Sequence, residues 1–326
     1  MKILVTGGAG FIGSHICTRL VELGYSVVCI DNLSTGKYEN ISHLVDYSTK
    51  SKFRWYQMDI NEITPNVLKA FQIDVICHQA AIGSVPKSVL YPEIYQETNI
   101  NGFFNVLNAA KKVGIKRFVY ASSSSVYGSD ITLPKIESST GKALSPYAAT
   151  KQINEVQANT YHTVYGMETI GLRYFNVFGP KQNPDGDYAA VIPKFIKMLM
   201  YSEVPVINGD GSYSRDFTYI DNVVQANVLA LTNDNISEFG KAVNIGAGQR
   251  TSIMELYNLI LNELDLDILP QKGPFRKGDI PNSFADISLA TQYLGYQPTV
   301  NIKEGLTKTI QYFNENILNT TKQKQS

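Results

Sequence analysis

Residues 2–31 read KILVTGGAGFIGSHICTRLVELGYSVVCID, and this stretch decides the fold. An apolar strand over residues 2–6 runs directly into a glycine-rich loop, and apolar residues then recur at helical spacing. Gly24 marks the end of that helix, and residues 26–30 form a second apolar strand. A buried strand, a tight loop, a helix and another buried strand predict the start of a parallel α/β sheet.

The glycines of this loop recur at every third position, as Gly7, Gly10 and Gly13. A loop without side chains lets a pyrophosphate approach the backbone, and the following helix directs its amino terminus at the negative charge. The spacing differs from the more familiar Gly-x-Gly-x-x-Gly form, and glycines also build plain tight turns. The strand, turn and helix context favours a dinucleotide site, in which we include Phe11 and Ile12.

The second strand ends in Asp31, where a carboxylate can accept both adenosine ribose hydroxyls. Because the same charge would repel a 2′-phosphate, NAD is favoured over NADP. Further polar and apolar residues at the ends of the second and third strands are expected along the adenosine: Asn32, Ser34, Thr35, Asp59 and Ile60.

A fourth strand, residues 73–77, is followed by HQAAIGS, residues 78–84. Small Ala80 and Ala81 would let the backbone approach the nicotinamide half of the cofactor, although they also fit tight strand-to-helix packing. A long helical pattern covers residues 92–113, with phenylalanines that suit a core or a dimer surface. The alternation of strands and helices predicts a doubly wound parallel Rossmann sheet.

Residues 120–151 carry the chemistry. A strand over residues 117–121 ends in a run of hydroxyls at positions 122–125, where ligands of α/β sheets bind. A helix then begins with Ser145 as N-cap and ends at Gly166. On it Tyr147 and Lys151 are four residues apart, so they share one face.

A phenol with a pKa near ~10 is a weak base unless a positive charge stabilises its phenolate. Lys151 would supply that charge and an oxidised nicotinamide a second. Tyr147 could then take a proton from a substrate hydroxyl while the attached carbon gives up hydride, and Ser123 would hydrogen-bond the same oxygen. Taken alone, a Tyr and Lys pair at this spacing is more often a surface feature; the cofactor signals reverse that reading.

The composition excludes several classes of protein. Lys plus Arg equal Asp plus Glu at 29 each, which argues against a general nucleic-acid or membrane-surface partner. Three cysteines at unrelated spacings indicate reduced core thiols, and four scattered histidines give no metal-ligand pattern. With no signal peptide or membrane-spanning run, we expect a cytoplasmic protein without a metal, and a disordered tail over residues 319–326.

The quoted motifs, together with SSSSVYG, YAATK, RYFNVFGP, GDGSYSRDFTYIDN and RKGDIP, resemble the extended short-chain dehydrogenase/reductase family. Within it the chain is similar to the UDP-sugar 4-epimerases, and most to the branch that prefers UDP-N-acetylhexosamines. The resemblance covers residues 1 to about 318 with the motifs in the expected order.

This resemblance implies roles for individual residues. Ser123 matches the catalytic serine, Tyr147 the base and Lys151 the residue that binds the nicotinamide ribose and tunes the tyrosine. Gln79 and Tyr174 join the predicted cofactor site. The predicted UDP-sugar contacts are Ser84, Ser123, Ser124, Ser125, Asn176, Ala190, Val191, Phe195, Arg215, Arg276, Asp279 and Ser283. Arg276 also suits a plain surface ion pair.

Epimerisation at C4 is the implied reaction, because carboxylates that the related dehydratases and decarboxylases use are replaced by Ser124 and Ser125. In the family, Asp279 corresponds to the aspartate that holds the uridine ribose, and a tyrosine four positions after it excludes a 2-acetamido group. That position is Ser283 here, which favours UDP-GlcNAc and UDP-GalNAc, unless Ser283 is only a solvated loop residue. UDP-glucose or UDP-hexuronate epimerisation and a non-catalytic NAD sensor stay open.

The expected organisation is two interleaved lobes. Residues 1–176 and about 217–247 would form the NAD-binding domain, and residues 177–216 and about 248–318 a smaller α/β lobe for the UDP-sugar. The family also implies a homodimer through helices near residues 92–113 and 146–165.

Overall fold

A seven-stranded, all-parallel sheet forms the centre of the protein. The computed structural model describes residues 1–45, 52–185, 189–236, 238–275 and 280–323, with side chains as far as residue 315. The strands of the large sheet are β1 (Lys2–Thr6), β2 (Ser26–Asp31), β3 (Phe53–Gln57), β4 (Val75–His78), β5 (Arg117–Ser123), β6 (Glu168–Tyr174) and, after four short strands given below, β11 (Lys241–Ile245).

The sheet is buried on both faces, which explains its near-continuous apolar strands. In β1, Ile3 and Val5 contribute to one core cluster, whereas Leu4 between them contributes to the other. The strand order is β11-β6-β5-β4-β1-β2-β3, so the direction of winding reverses between β1 and β4. Ligands of such sheets bind at this switch point, beyond the carboxyl ends of the strands.

Helices cover both faces of the sheet, so the predicted doubly wound Rossmann fold is confirmed. The helices up to the end of β6 are α1 (Phe11–Glu22), α2 (Pro65–Phe71), α3 (Val85–Leu90), α4 (Pro92–Tyr95), α5 (Phe103–Val113) and α6 (Pro146–Tyr165). Those beyond it are α7 (Val191–Met200), α8 (Ile220–Thr232), α9 (Ile253–Leu264), α10 (Ser288–Leu294) and α11 (Ile302–Gln323).

Helix α6 has the limits that its sequence predicts. Ser145 Oγ accepts a hydrogen bond from the backbone N–H of Ala148 at 3.1 Å, Pro146 occupies the first turn, and Gly166 ends the helix at a φ of 68°. A glycine tolerates that left-handed conformation better than any other residue. The caps therefore set both ends of α6 and place Tyr147 in its first turn.

The second half of the chain adds small sheets. Its short strands are β7 (Val177–Phe178), β8 (Val206–Asn208), β9 (Ser214–Arg215), β10 (Thr218–Tyr219), β12 (Thr251–Ser252), β13 (Gln271–Gly273) and β14 (Asn282–Ser283). They pair as β10-β7, β12-β9-β14 and β13-β8. The pairing of β11 with β6 returns the chain to the large sheet, while the exact limits of the two lobes stay a prediction.

Two segments differ from the expected structure. The helical run over residues 92–113 contains a π-helical segment, Gln96–Gly102, between α4 and α5. Helix α11 continues to Gln323, so helical backbone enters the tail that was predicted to be disordered. The three cysteines are buried and free, as predicted. No helix in the described part of the chain is both long and apolar enough to cross a bilayer.

Candidate active site

A cleft of about 310 Å³ lies at the switch point between β1 and β4. Sixteen of the seventeen predicted cofactor residues line it, all except Asp59. They are Gly7, Gly10, Phe11, Ile12, Gly13, Asp31, Asn32, Ser34, Thr35, Ile60, Gln79, Ala80, Ala81, Tyr147, Lys151 and Tyr174. Asp59 caps the short 3₁₀ turn after β3 and accepts a 2.7 Å hydrogen bond from Asn32 Nδ2.

The glycine loop at one end of the cleft is tightly packed. A side chain on Gly7, whose φ is +66°, would bring its Cβ within 2.7 Å of the backbone of Ala80. A Cβ on Gly13 would lie 2.1 Å from the carbonyl oxygen of Gly7. The loop can hold this shape only with glycine at both positions.

The start of α1 suits a negatively charged group. Among the described residues, no side chain caps this helix at Gly10, and its first turn contains no acidic residue. The backbone N–H groups there and the helix dipole are therefore available to a phosphate.

Asp31 is the acidic residue of the cleft and is only 7% exposed. Its Oδ2 accepts the backbone N–H of Ala9 at 2.9 Å and its Oδ1 that of Leu33 at 2.8 Å. Burial raises its pKa, and these backbone hydrogen bonds oppose the rise. The carboxylate is thus held rigidly, with lone pairs left for the hydroxyls of a ribose.

Ser123, Tyr147 and Lys151 meet at the other end of the site. Lys151 Nζ lies 5.9 Å from the centre of the Tyr147 ring and donates a 2.8 Å hydrogen bond to the carbonyl oxygen of Ala121. The side chain of Ser123, at the end of β5, hydrogen-bonds Tyr147. The hydroxyl, the phenol and the ammonium group are therefore in one place, as a proton-transfer site requires.

Burial changes the acidity of both ionisable groups. It raises the pKa of Tyr147, which the hydrogen bond with Ser123 partly offsets. It lowers the pKa of Lys151 to about 8, and the carboxylate of Glu155 acts in the opposite direction. Lys151 is 3% exposed, so solvent screens its charge little at 5.9 Å from the centre of the Tyr147 ring.

Glu155 lies one helical turn beyond Lys151 and belongs to a buried ion pair. Arg173 Nε and Nη2 donate to its two oxygens at 2.9 and 2.8 Å. Ser122 Oγ donates to Glu155 Oε1 at 2.5 Å. This network fixes the end of β5 against α6, and thereby the strand that ends in Ser123 against the helix that carries Tyr147.

The Gln79 and Tyr174 side chains hydrogen-bond each other and share a third partner that the sequence did not single out. Tyr174 Oη donates to Gln79 Oε1 at 3.0 Å, and Asn227 Nδ2 on α8 donates to Tyr174 Oη at 2.8 Å. Asn227 is fully buried, and its Oδ1 accepts from Gln79 Nε2 at 3.0 Å. Asn227 therefore positions two residues of the cleft wall from beneath.

The predicted substrate residues lie in several environments. Ser125 Oγ is buried without a hydrogen-bond partner among the described residues, and Ser124 beside it is partly exposed. Ser84 caps α3, and its carbonyl oxygen accepts from Tyr95 Oη at 2.8 Å. Arg276 and Asp279 lie outside the described residues.

The remaining predicted contacts belong to the second half of the chain. Asn176 Nδ2 donates to the carbonyl oxygen of Asp216 at 3.2 Å. Ser283 is the direct register partner of Arg215 in the parallel pair β14-β9. Ala190 and Val191 begin α7, whereas the ring of Phe195 is buried against Tyr257 at a centroid distance of 5.8 Å. The ring of Phe195 thus contributes to the core, and its contact with the substrate stays a prediction.

Six lining residues were absent from the prediction: Met58, Ile82, Gly83, Thr98, Ala121 and Ser122. Most of them adjoin predicted residues, so the strand ends would have identified them. Thr98 belongs to the π-helical segment, which no sequence pattern predicts. No cluster of three or more His, Cys, Asp or Glu side chains within the described ranges could hold a metal ion.

Residues 3–246 match the family described as the NAD dependent epimerase/dehydratase family. The chain belongs to this family. Since the match spans both ends of the cleft, NAD is the cofactor of this chain. Three features of the cleft fit that group: the uncapped start of α1, the hydrogen-bonded Asp31 carboxylate and the glycine loop.

Individual members of the family are similar over nearly the whole chain. The UDP-glucose 4-epimerase of Mycolicibacterium smegmatis is 37% identical over 315 residues, which cover 96% of this chain and 98% of the relative. The UDP-glucuronate 4-epimerase of Thermodesulfobacterium geofontis is 34% identical, with 96% of each chain covered.

A solved structure of the family has the same overall fold. The UDP-N-acetylglucosamine 4-epimerase of Methanobrevibacter ruminantium, in complex with UDP-N-acetylmuramic acid, superposes with a TM-score of 0.90 at 37% identity. The match covers 97% of this chain and 98% of that structure.

Proposed function

We propose that the protein is a UDP-sugar 4-epimerase that interconverts UDP-GlcNAc and UDP-GalNAc, with UDP-glucose and UDP-galactose as slower substrates. Relatives named as 4-epimerases of UDP-glucose, UDP-glucuronate and UDP-GlcNAc support the class of reaction. The observation that carries the proposal is the convergence of Ser123, Tyr147 and Lys151 at the end of the NAD cleft.

The roles of these residues follow from proton and electron balance. Tyr147, as phenolate, removes the proton of the C4 hydroxyl, and the same phenol returns it after the 4-keto sugar has turned over. NAD held by Asp31, Lys151 and the glycine loop would supply the hydride acceptor and then the hydride donor for C4, so the reaction would have no net redox change. Lys151 stabilises the phenolate, and Ser123 holds the C4 oxygen.

The absence of further carboxylates favours epimerisation over dehydration. Among the described residues that line the cleft, Asp31 at the adenosine end is the only acidic one. Elimination of water needs an additional acid and base near the sugar, which Ser124 and Ser125 cannot supply because their hydroxyls do not ionise near neutral pH.

The preference for the acetylated sugar rests on Ser283. The segment that carries it packs against the 3₁₀ turn that follows Ser123, Ser124–Tyr127. Ala285 in this segment belongs to one apolar cluster with Val126, Tyr127 and Phe175. Ser283 lies two residues before Ala285, at the end of β14 and paired in register with Arg215, which places it near this turn. A hydroxymethyl group there leaves room for a 2-acetamido substituent that a tyrosine would exclude.

A UDP-hexuronate 4-epimerase is the alternative reading, supported by the similarity to the UDP-glucuronate enzyme. We further propose a homodimer through α5 and α6, because apolar side chains are exposed along α6 at helical spacing: Ile153, Val156 and Val164. Phe104 on α5, 44% exposed, extends this surface through its edge contact with Tyr161. The cytoplasmic location stays a prediction.

The test is incubation of the purified protein with UDP-GlcNAc, UDP-glucose and UDP-glucuronate separately, without added reductant, with the 4-epimers resolved by proton NMR. Fastest formation of UDP-GalNAc is the expected result. If UDP-galactose or UDP-galacturonate forms faster, the acetylated-sugar assignment is wrong while the epimerase reading stands.

A non-catalytic NAD sensor is separated from the epimerase by replacing the base. Tyr147→Phe should keep UDP-sugar affinity and lower turnover by roughly 10²- to 10⁴-fold, since only the proton acceptor is lost. If none of the three sugars is converted by the wild-type protein, the sensor reading replaces the proposal.

A further inference from the structure

Asp216 is a fully buried carboxylate outside the cleft, and none of the predicted roles uses it. It follows Arg215 directly in the motif SRDFTYIDN. Burial raises its pKa to about 6, so the group is ionised at neutral pH. A buried charge is stable only when hydrogen bonds replace its hydration, so its partners show what it does.

Apart from Thr218 Oγ1, which donates to Oδ1 at 3.5 Å, the partners are backbone N–H groups from two separate segments. Ala247 donates to Oδ1 at 2.7 Å, whereas Gly248 and Ala285 donate to Oδ2 at 3.0 and 3.1 Å. Gly246 approaches so closely that a Cβ there would lie 2.7 Å from Oδ2. The carboxylate thus ties the loop after β11, at the edge of the large sheet, to the segment after β14.

The same residue adjoins three predicted substrate positions. Its carbonyl oxygen accepts a hydrogen bond from Asn176 Nδ2 at 3.2 Å. Arg215 precedes it in the chain and pairs in register with Ser283, two residues before Ala285. These three positions, Asn176, Arg215 and Ser283, come from distant parts of the sequence. Asp216 hydrogen-bonds Asn176, follows Arg215 in the chain and accepts a hydrogen bond from Ala285, two residues after Ser283.

We propose that Asp216 is a positioning residue of the UDP-sugar site: its carboxylate holds the strands that carry Arg215 and Ser283 against the edge of the cofactor sheet. This role rests on the proposed function as a UDP-sugar enzyme. Asp216 is fully buried and does not line the cleft, so we expect it to govern substrate affinity and not the chemical step.

Asp216→Asn tests this with almost no change in shape. An amide has one acceptor oxygen, so in either orientation its NH₂ group faces at least one backbone N–H donor. The dissociation constant for UDP, measured by titration calorimetry, should rise about tenfold or more. The KM for the UDP-sugar should rise with it, while kcat at saturation and the NAD content per chain stay near wild type.

Asp221→Asn is the matched control, since Asp221 lies in the same motif with a side chain that is 52% exposed. It should change neither UDP affinity nor KM. Gly246→Ala is a second variant that keeps the charge but pushes the carboxylate and residue 285 apart, because its Cβ would lie 2.8 Å from that of Ala285. It should weaken UDP binding in the same way.

The proposal is overturned if Asp216→Asn binds UDP with wild-type affinity. It is also overturned if UDP affinity, NAD content and melting temperature fall together in both variants, because that result indicates a general role in folding. UDP alone is the probe, so the outcome does not depend on which sugar is epimerised; failure of the wild-type protein to bind UDP would instead remove the proposed function.

Discussion

Lys151 Nζ donates a 2.8 Å hydrogen bond to the carbonyl oxygen of Ala121, two residues before Ser123. The bond joins the helix that carries the proposed base to the strand that carries the proposed serine. It also keeps the ammonium group buried beside the Tyr147 ring, at 5.9 Å from the ring centre. Lys151 therefore has two roles: it holds the helix against the strand, and its charge lies beside the proposed base.

Turnover should fall as the pH rises above about 8. Burial lowers the pKa of Lys151 to about 8, so the ammonium is present below that pH and is lost above it. Without the charge, the phenolate of Tyr147 is less stable and proton removal slows. The measurement is the pH dependence of kcat in the wild-type protein and in Lys151→Arg.

A guanidinium keeps its proton throughout this range, so the arginine variant should be slower but should lack the alkaline decline. An unchanged decline near pH 8 in Lys151→Arg would show that another group titrates, and the role of Lys151 would have to be withdrawn.

Ser283→Tyr should change which sugar is used. A ring at this position would occupy the space expected for the 2-acetamido group, so kcat/KM for UDP-GlcNAc should fall by at least about tenfold. The value for UDP-glucose should change much less. Ser283→Ala, which adds no bulk, is the control and should keep both activities; an equal loss for both sugars in Ser283→Tyr would contradict the gate.

Removing one partner of the buried pair between Arg173 and Glu155 should destabilise the protein. Their side chains are 7% and 15% exposed, so Arg173→Met leaves a buried carboxylate without its cation. The free energy of unfolding should fall by about 3 kcal/mol or more in urea titrations. The double variant with Glu155→Met should recover much of that loss.

Arg19→Met is the matched control for the ion pair. Arg19 pairs with Glu22 on the surface, with side chains 52% and 56% exposed, and its loss should cost less than about 1 kcal/mol. If Arg173→Met has no larger effect than Arg19→Met, the buried network does not stabilise the site.

Val156→Asp should dissociate the proposed homodimer. Val156 is 66% exposed on the α6 face that also carries Val164, and a carboxylate there would have to be desolvated on association. Light scattering after size exclusion should give the mass of one chain for the variant and of two for the wild type. Ile131→Asp, at a residue 90% exposed on a loop, is the control; a monomeric wild-type protein would rule out the dimer.

The sequence predicted best what local signals determine. The first strand, the glycine loop and the first helix were evident, as was α6 between Ser145 and Gly166, because capping residues and apolar periodicity act within a few positions. The ends of parallel strands then located most of the cleft, since they meet at one edge of the sheet.

Tertiary contacts account for what the sequence did not reveal. The π-helical segment brings Thr98 into the cleft, and nothing in its composition distinguishes it from an α-helix. Asn227 bonds to Gln79 and Asp216 bonds to Ala285, and each pair is separated by more than sixty positions in the sequence. The packing of α7 on α9 buries the ring of Phe195, a predicted substrate contact, against Tyr257.

The most direct test of the central claim follows a deuterium label at C4. UDP-GlcNAc carrying deuterium on C4 is incubated with the protein in ordinary water, and the UDP-GalNAc that forms is examined by NMR and mass spectrometry. Oxidation and reduction at the same carbon predict product with the deuterium retained on C4 and no hydrogen taken from solvent. Product whose C4 hydrogen comes from water would contradict the account, because it would mean removal of a proton from carbon in place of hydride transfer.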